Sequence, residues 1–570
     1  MTLAPSQPDA GLPDGAVDVA ESGSPSATPT PGRSRLEELQ LRLLGLRASD
    51  RFWGWVGPLV VTLIGGALRF YRLGFPTKLN FDETYYVKYA ASLLFWGIPR
   101  AWRDDWPNGA KPDDIFNAGT PNVFQQKPDF IVHPPLGSWM IAIGEKLFGI
   151  TDSFGWRFMP AVCGTLSILM LARITRRMLG STLLGTTAGL LLAVEGNHYV
   201  MSRTAILDVF VMFWALAGFG FIIIDRDRAR AALARRIAEG KGTASLLGPS
   251  LGWWRPWRLL AAVSLGLCCG VKWSGVPFFA AFALATVLWD IGARRAIGQR
   301  HWFSVGLLRD GWGAFWQMVP TAVLAYAATW SGWFASARFG QAEPGGPELA
   351  GYKRFWGTNN PTTTEDVVKH FNWAPDWFRS WLSYHHEAWT FHVGLTDNHP
   401  YQSNPWSWII TSRPTAFFYE DRAKGVQGCK VEQCASAITP IGNPVIWWGG
   451  TIAIAVLIFC WLLRRDWRAG AILCGLAGSW LFWFREQERT VFQFYAVAMT
   501  PWVVLGLTYA IGLLLGKSGD DPVRRRRGII AAGTIVALAC LAFAFFFPVL
   551  SGLAIPKSQW QWRMWLPSWI

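Results

Sequence analysis

The stretch Gly54-Trp-Val-Gly-Pro-Leu-Val-Val-Thr-Leu-Ile-Gly-Gly-Ala-Leu-Arg-Phe-Tyr-Arg-Leu73 is long and apolar enough to cross a bilayer as one helix. About ten residues later comes Leu79-Asn-Phe-Asp-Glu-Thr-Tyr-Tyr86. Two adjacent acids next to lipid are costly unless they have a task. Asp82 and Glu83 are therefore candidates for a catalytic base held at the membrane surface.

The rest of the chain has the composition this reading needs. Of 570 residues, 51% are hydrophobic and only 16% charged, too apolar for an ordinary soluble protein. Eleven spans are expected, near 54–73, 156–172, 181–196, 204–224, 258–273, 275–291, 313–333, 444–463, 469–484, 492–514 and 528–551, which makes the fold an all-α polytopic membrane protein. Many of the 36 tryptophans flank these segments, as interface anchors do. The formal charge of +15 sits in short clusters between alternate spans: Arg173, Arg176 and Arg177; Arg226 to Lys241; Arg294, Arg295 and Arg300; Arg464, Arg465 and Arg468; Arg524 to Arg527. That is the positive-inside pattern and argues against nucleic acid as the partner. It places the N-terminus in the cytoplasm and the C-terminus outside, in a multi-pass protein of the cell membrane. The first 34 residues, rich in Pro, Ser, Gly, Ala and Asp, read as a disordered cytoplasmic tail, and residues 35–570 as the membrane domain. No signal peptide is seen, so the first span is expected to act as the targeting signal.

Two long outer segments, about 74–154 and 334–443, hold most of the candidate chemistry. After the acid pair, Thr84–Trp96 reads as an amphipathic helix along the membrane surface. Adjacent helical residues point about 100° apart, so the two acids are expected to take different roles: one faces the reaction centre and the other holds backbone or a basic group. Ile131-Val-His-Pro-Pro-Leu-Gly137 offers His133, followed by a short apolar helix over 136–148. Arg69, Arg72, Arg157, Arg203 and Lys272 lie at outer span ends, against the general charge bias, and a bound phosphate would account for them. Asp208, inside an expected span, needs a partner. Four of the eight histidines fall between 385 and 399, with Tyr401 and Asn404 close behind. Their spacing matches no compact zinc pattern, and contacts to a sugar or an acceptor fit them better than a metal. Cys429 and Cys434 occupy a polar loop, where either a disulfide or two free thiols is possible.

Taken in order, Phe81-Asp-Glu, His133-Pro-Pro-Leu-Gly, Trp156-Arg-Phe-Met-Pro, Ser202-Arg-Thr-Ala-Ile-Leu-Asp208, Gly270-Val-Lys-Trp-Ser-Gly, His399-Pro-Tyr-Gln-Ser-Asn-Pro-Trp and Phe492-Gln-Phe-Tyr-Ala-Val-Ala-Met-Thr-Pro resemble the bacterial protein O-mannosyltransferases that use polyprenyl-phosphate mannose. The resemblance runs from the first expected span to the tenth. It implies a GT-C glycosyltransferase fold with its site at the outer face, and an inverting transfer of mannose to Ser or Thr hydroxyls of secreted polypeptides. It implies no cofactor and no essential metal. It puts Asp82 in the position of the base with Glu83 as its partner, and Arg69 and Arg157 at the donor phosphate. Arg203 and Lys272 are added to the phosphate group on their position, and His133, His399, Tyr401 and Asn404 are candidate substrate contacts. Expected partners are the lipid-linked donor, a secreted polypeptide, membrane lipid and the protein-export machinery. A related transfer of another lipid-linked sugar to a lipid or glycan is the alternative, and a transporter is a third reading. The outer segment of about 110 residues is too short for the β-trefoil domain of the eukaryotic relatives, which leaves acceptor recognition open.

Overall fold

In a computed structural model the described residues are 34–45, 48–103, 105–241, 246–339, 373–426, 428–516 and 519–570. The expected tail, except for Ser34, and residues 340–372 of the second outer segment lie outside them.

Each of the eleven expected spans contains a helix. Before the first lies α1 (Arg35–Leu44), closed by a capping box in which Ser34 and Glu37 satisfy each other's backbone. Then come α2 (Trp53–Phe70), α3 (Glu83–Trp96), the short α4 (Pro112–Asn117), α5 (Leu136–Phe148), α6 (Ser153–Leu179), α7 (Thr182–Ala193), the short α8 (Gly196–Met201), α9 (Asp208–Ala238), α10 (Pro256–Val271) and α11 (Val276–Ala296). A short α12 (Trp302–Val305) leads through a π-turn into α13 (Trp312–Thr329), followed by α14 (Ser331–Phe339), α15 (Asp376–Gly394) and the one-turn α16 (Pro405–Trp408). The C-terminal part holds α17 (Pro444–Leu462), α18 (Trp467–Trp480), α19 (Thr500–Leu515), α20 (Pro522–Ser551) and α21 (Lys557–Gln561). Among the described residues seven segments are long and apolar enough to cross a membrane by themselves: α2, α6, α9, Trp273–Ala296, α17, Gln493–Leu515 and α20. Helices α7 and α10 are apolar but shorter.

Proline at the first turn starts α10, α17 and α20, where its missing N–H costs nothing. Left-handed glycines Gly97 and Gly180 stop α3 and α6. Small residues let the spans approach closely. A Cβ on Gly65 of α2 would lie 2.4 Å from Ile168 of α6, and one on Gly266 of α10 would lie 2.3 Å from the Ala322 carbonyl of α13. At the ends of α9, α10 and α11 remote from Asp82, Asp225, Arg255, Arg258 and Asp290 form a buried paired cluster, with Arg255 Nη1 2.6 Å from Asp290. Charges in that setting stay ionised only when paired.

The described residues of the two long segments between spans combine helices, short sheets and irregular chain. Helices stand at both expected places, as α3 and α5, and they pack on each other. They are joined by a two-stranded sheet of β1 (Arg100–Trp102) and β2 (Phe124–Pro128). The second segment adds α15 and an antiparallel sheet in the order β3 (Phe418–Ala423), β4 (Gln433–Ile438), β5 (Ile555–Pro556). A disulfide joins Cys429 and Cys434 in that hairpin, which settles the alternative the sequence left open.

Candidate active site

Asp82 and Glu83 diverge at the start of α3, as their helical spacing predicts. Glu83 is fully buried. Its carboxylate accepts Arg157 Nε at 2.8 Å and Nη2 at 2.7 Å, and the backbone N–H groups of Asn80 at 3.1 Å and Ala205 at 2.9 Å. Both oxygens are fully engaged. Arg157, also buried, donates its remaining N–H groups to the carbonyls of Leu73, Pro76 and Lys78. This pair fixes the α3 N-terminus against α6 and the turn before α9.

Asp82 is half-buried, and its carboxylate makes no hydrogen bond among the described residues. The preceding Phe81 has a left-handed backbone, φ 53°, unusual for a side chain of that size. Its ring stacks on Phe417 at 4.7 Å and meets Phe494 edge-on at 5.4 Å. That clamp fixes the peptide from which Asp82 projects. Burial pushes the Asp82 carboxyl up to about 6; the Lys272 charge opposes this rise and the Asp208 charge adds to it. Lys272 Nζ lies 3.1 and 3.3 Å from the two oxygens of Asp208 and 4.2 Å from the centre of the Tyr495 ring. Asp208, which needed a partner, has one in Lys272.

A second wall comes from both outer segments. His133 stacks on His392 of α15 at 4.8 Å and lies 6.2 Å from Tyr86. His392 Nε2 is 2.8 Å from the Val132 carbonyl, so it carries the proton; Nδ1 then accepts from Arg489 Nη2 at 3.2 Å. Burial holds His392 down to about 4, helped by the Arg489 charge, and holds His133 well below the usual histidine range, with Lys272 next in effect. Both rings are neutral at pH 7. Arg489 keeps a buried Nε, and His133 a buried Nδ1, without a hydrogen-bond partner among the described residues. Polar atoms buried in this way await a ligand or water.

The other expected phosphate contacts are occupied elsewhere. Arg69 is fully buried; its guanidinium donates to the carbonyls of Gly65, Leu192 and Ala193 and lies 2.6 Å from His198 Nδ1. Arg203 donates to the carbonyls of Arg69, Tyr71 and Arg72 and to the Tyr199 hydroxyl. Arg203 and Arg157 close the end of α2 and the loop after it, and Arg69 the end of α7, where backbone acceptors lack helical donors. Of the four cations expected at a phosphate, the structure brings only Lys272 to Asp82.

His399, Tyr401 and Asn404 form a rim rather than a wall. His399 is exposed, accepts the Tyr401 N–H at 3.1 Å and packs on Phe492 at 5.0 Å. Asn404 caps α16 and reaches Gln487 at 3.3 Å. A chain of rings, Phe492, Phe494 and Phe81, connects this rim to Asp82. Sequence reasoning did not assign Tyr86, Arg489 or Tyr495 to the site, and had His392 only as one of the four clustered histidines. For Arg489 a signal was available: it is one more outer cation, beside a motif already singled out. Next to Lys272, Trp273 forms one wall of an apolar cavity of about 480 Å³, with Val276, Phe279, Val323, Tyr326 and Trp389.

Two family profiles match the chain: "Dolichyl-phosphate-mannose-protein mannosyltransferase" over residues 132–245 and "C-terminal four TMM region of protein-O-mannosyltransferase" over residues 377–510. The polyprenol-phosphate-mannose–protein mannosyltransferase of Mycobacterium tuberculosis is 35% identical over 534 residues, covering 91% of this chain and 92% of its own. That of Corynebacterium glutamicum is 31% identical, covering 86% and 88%. The chain belongs to this family. The protein O-mannosyltransferase Pmt1–Pmt2 complex of Saccharomyces cerevisiae, solved with its sugar donor, superposes with a TM-score of 0.67 over 94% of both chains at 13% identity. The two share a fold, and the expected polytopic GT-C architecture is met.

Proposed function

We propose that this mannosyltransferase moves mannose from polyprenyl-phosphate mannose to a Ser or Thr hydroxyl of a polypeptide leaving the cell, with Asp82 as the base. The observation that carries the assignment is the contrast within the acid pair: Glu83 has no free oxygen, whereas Asp82 is half-buried and, among the described residues, without a hydrogen-bond partner beside the Lys272–Asp208 pair. The hydroxyl oxygen attacks C1 of the mannose, and the bond from C1 to the phosphate oxygen breaks. Asp82 takes the hydroxyl proton, and polyprenyl phosphate leaves with the electron pair. Attack opposite the leaving group inverts the anomeric centre. A general base contributes about 10² to 10⁴-fold to such a step.

The phosphate sits between Lys272 and Arg489, the two cations that act together on His133. These are the groups that stabilise the charge developing on the leaving oxygen. The apolar cavity beside Trp273 receives the first isoprene units. Glu83, Arg157, Arg203 and Arg69 act as positioning residues. His133 contributes a neutral imidazole to the sugar pocket, and His399, Tyr401 and Asn404 line the path of the acceptor. With basic segments at the opposite end of the bundle, the site faces the exterior of the cell membrane, where the acceptor emerges from the export machinery.

The test is transfer of labelled mannose from polyprenyl-phosphate mannose to a Ser/Thr-rich peptide by the purified chain in liposomes. Transfer abolished by Asp82→Asn but retained on mock substitution supports the reading. A well-folded parent chain that transfers no mannose, but does transfer another lipid-linked sugar, replaces it with the alternative.

A further inference from the structure

The β3–β4–β5 sheet is small, yet one of its edges begins beside the residue that precedes the proposed base. Phe417, the residue before β3, stacks on Phe81, the residue before Asp82. From there β3 runs through Phe418–Ala423 towards the hairpin held by the Cys429–Cys434 disulfide. One side of β3 pairs with β4 along all six residues, and the sheet order leaves its other side as an edge. In an antiparallel pair alternate N–H and C=O groups point away from the partner strand. For Phe418–Arg422 those outward groups meet no backbone partner among the described residues.

The faces of the strand, unlike its edge, are occupied. Phe75 packs on Phe418, and Lys78 pairs with Glu420 at 3.2 Å on one face. On the other, Trp560 packs on Tyr419, and Lys557 pairs with Asp421 at 3.1 Å. The ionic groups that often blunt an edge strand are thus tied to neighbours above and below. What remains is a stretch of backbone unpaired among the described residues, stiffened by a disulfide and starting at Phe417, whose ring stacks on Phe81 beside Asp82.

We propose that the acceptor polypeptide binds as an added strand on the outer edge of β3. The inference rests on the reading of this chain as a protein mannosyltransferase and names how its acceptor is held. Six residues of strand span about 20 Å, so a paired segment is delivered in extended form with its next hydroxyl-bearing residue at Asp82. Recognition through main-chain hydrogen bonds is indifferent to side chains. It admits any unfolded Ser- or Thr-containing segment and rejects folded chains, whose backbone is already paired. Chemically, the partner is an extended polypeptide without bulky charge.

The experiment places a photoreactive p-benzoylphenylalanine at Tyr419, which is 41% exposed, at Asp421, and at Trp565 as a reference site away from the edge. Capture of a labelled Ser/Thr octapeptide is read in the full chain, together with KM for mannose transfer. Two further octapeptides carry N-methyl groups on alternate residues, in opposite phase. Expected is capture at 419 and 421 well above that at 565, with one N-methyl phase lowering capture and raising KM about tenfold and the other leaving both unchanged. Equal capture at all three sites, or indifference to both N-methyl phases, overturns edge pairing. Capture in the expected phase without mannose transfer keeps this inference and removes the proposed activity. Transfer to both methylated peptides at unchanged KM does the reverse.

Discussion

Replacing Asp82 by Asn separates catalysis from folding more cleanly than any other change at this site. The carboxylate makes no hydrogen bond among the described residues, so Asn removes the proton acceptor and breaks no structural contact. Loss of a general base costs about 10² to 10⁴-fold, or roughly 3–5 kcal/mol of barrier at 1.36 kcal/mol per decade. The stability effect has the opposite sign to that of a paired acid. The folded-state pKa is raised from 3.8 to about 6 by burial, so the stabilising contribution of Asp82 is present below its unfolded pKa and is lost as pH rises through about 6. At pH 7 Asn therefore leaves the Tm unchanged or higher. Glu83→Gln behaves differently: it strands the buried Arg157 guanidinium, at a cost of about 3–5 kcal/mol, and lowers the Tm. The same pKa predicts an acid limb in kcat/KM. Asp82 is about 90% ionised at pH 7 and about 10% at pH 5, so the parent chain at pH 5 retains about a tenth of its pH 7 value. His133 and His392 are held neutral by burial and add no limb between pH 6 and 7. The assay is mannose transfer to a histidine-free peptide across pH 4.5–8, with thermal unfolding of each variant beside it. Asp82→Asn within threefold of the parent, or a parent profile flat from pH 5 to 7, refutes the assignment.

Three other outcomes are expected. Lys272→Gln moves the acid limb above pH 6, because the charge that lowers the Asp82 pKa is gone, and raises KM for the lipid donor; the double change Lys272→Gln with Asp208→Asn restores the Tm but not the KM, as measured in the same pH series. Arg489→Gln raises donor KM with little change in Tm, and Arg489→Lys recovers part of the loss; unchanged donor KM in both removes Arg489 from the phosphate seat. Arg69→Met leaves donor KM of the folded fraction unchanged but costs several kcal/mol of stability, since each stranded carbonyl is worth about 1–3 kcal/mol, which thermal unfolding would read.

Much of the fold was legible because lipid enforces it. Backbone groups in a bilayer must pair within a helix, so each apolar run had one available structure, and a helix stands at all eleven expected places. The divergence of Asp82 and Glu83 was legible for a similar reason: the 100° step between helical neighbours leaves little room for a shared role. The burial of α3 was less so. A helix that reads as surface-bound by its sequence buries Val87, Lys88, Tyr89 and Ala90, because α5 and the β1–β2 hairpin cover it. Such cover comes from segments dozens of residues away and leaves no local signature.

The outer arginines show where single-sequence inference loses discrimination. A phosphate oxygen and a helix-terminal carbonyl both accept N–H groups, and both lie where a membrane helix ends. An arginine at such a place satisfies either, so charge against the positive-inside bias marks a need for donors without naming the acceptor. Arg157 and Arg203 answer the backbone after α2, and Arg69 answers the carbonyls that end α7. What distinguishes Lys272 and Arg489 is not their place in sequence but what they leave open. Lys272 is neutralised by a single buried acid at the mouth of the site, and Arg489 donates to no backbone carbonyl among the described residues, its one hydrogen bond going to His392 of the same wall. Arg157 and Arg203, coordinated by protein carbonyls and by Glu83 and Tyr199, hold the loop that leads to Asp82. That arrangement fixes the proposed base and leaves Lys272 and Arg489 as the proposed seat of a charged ligand.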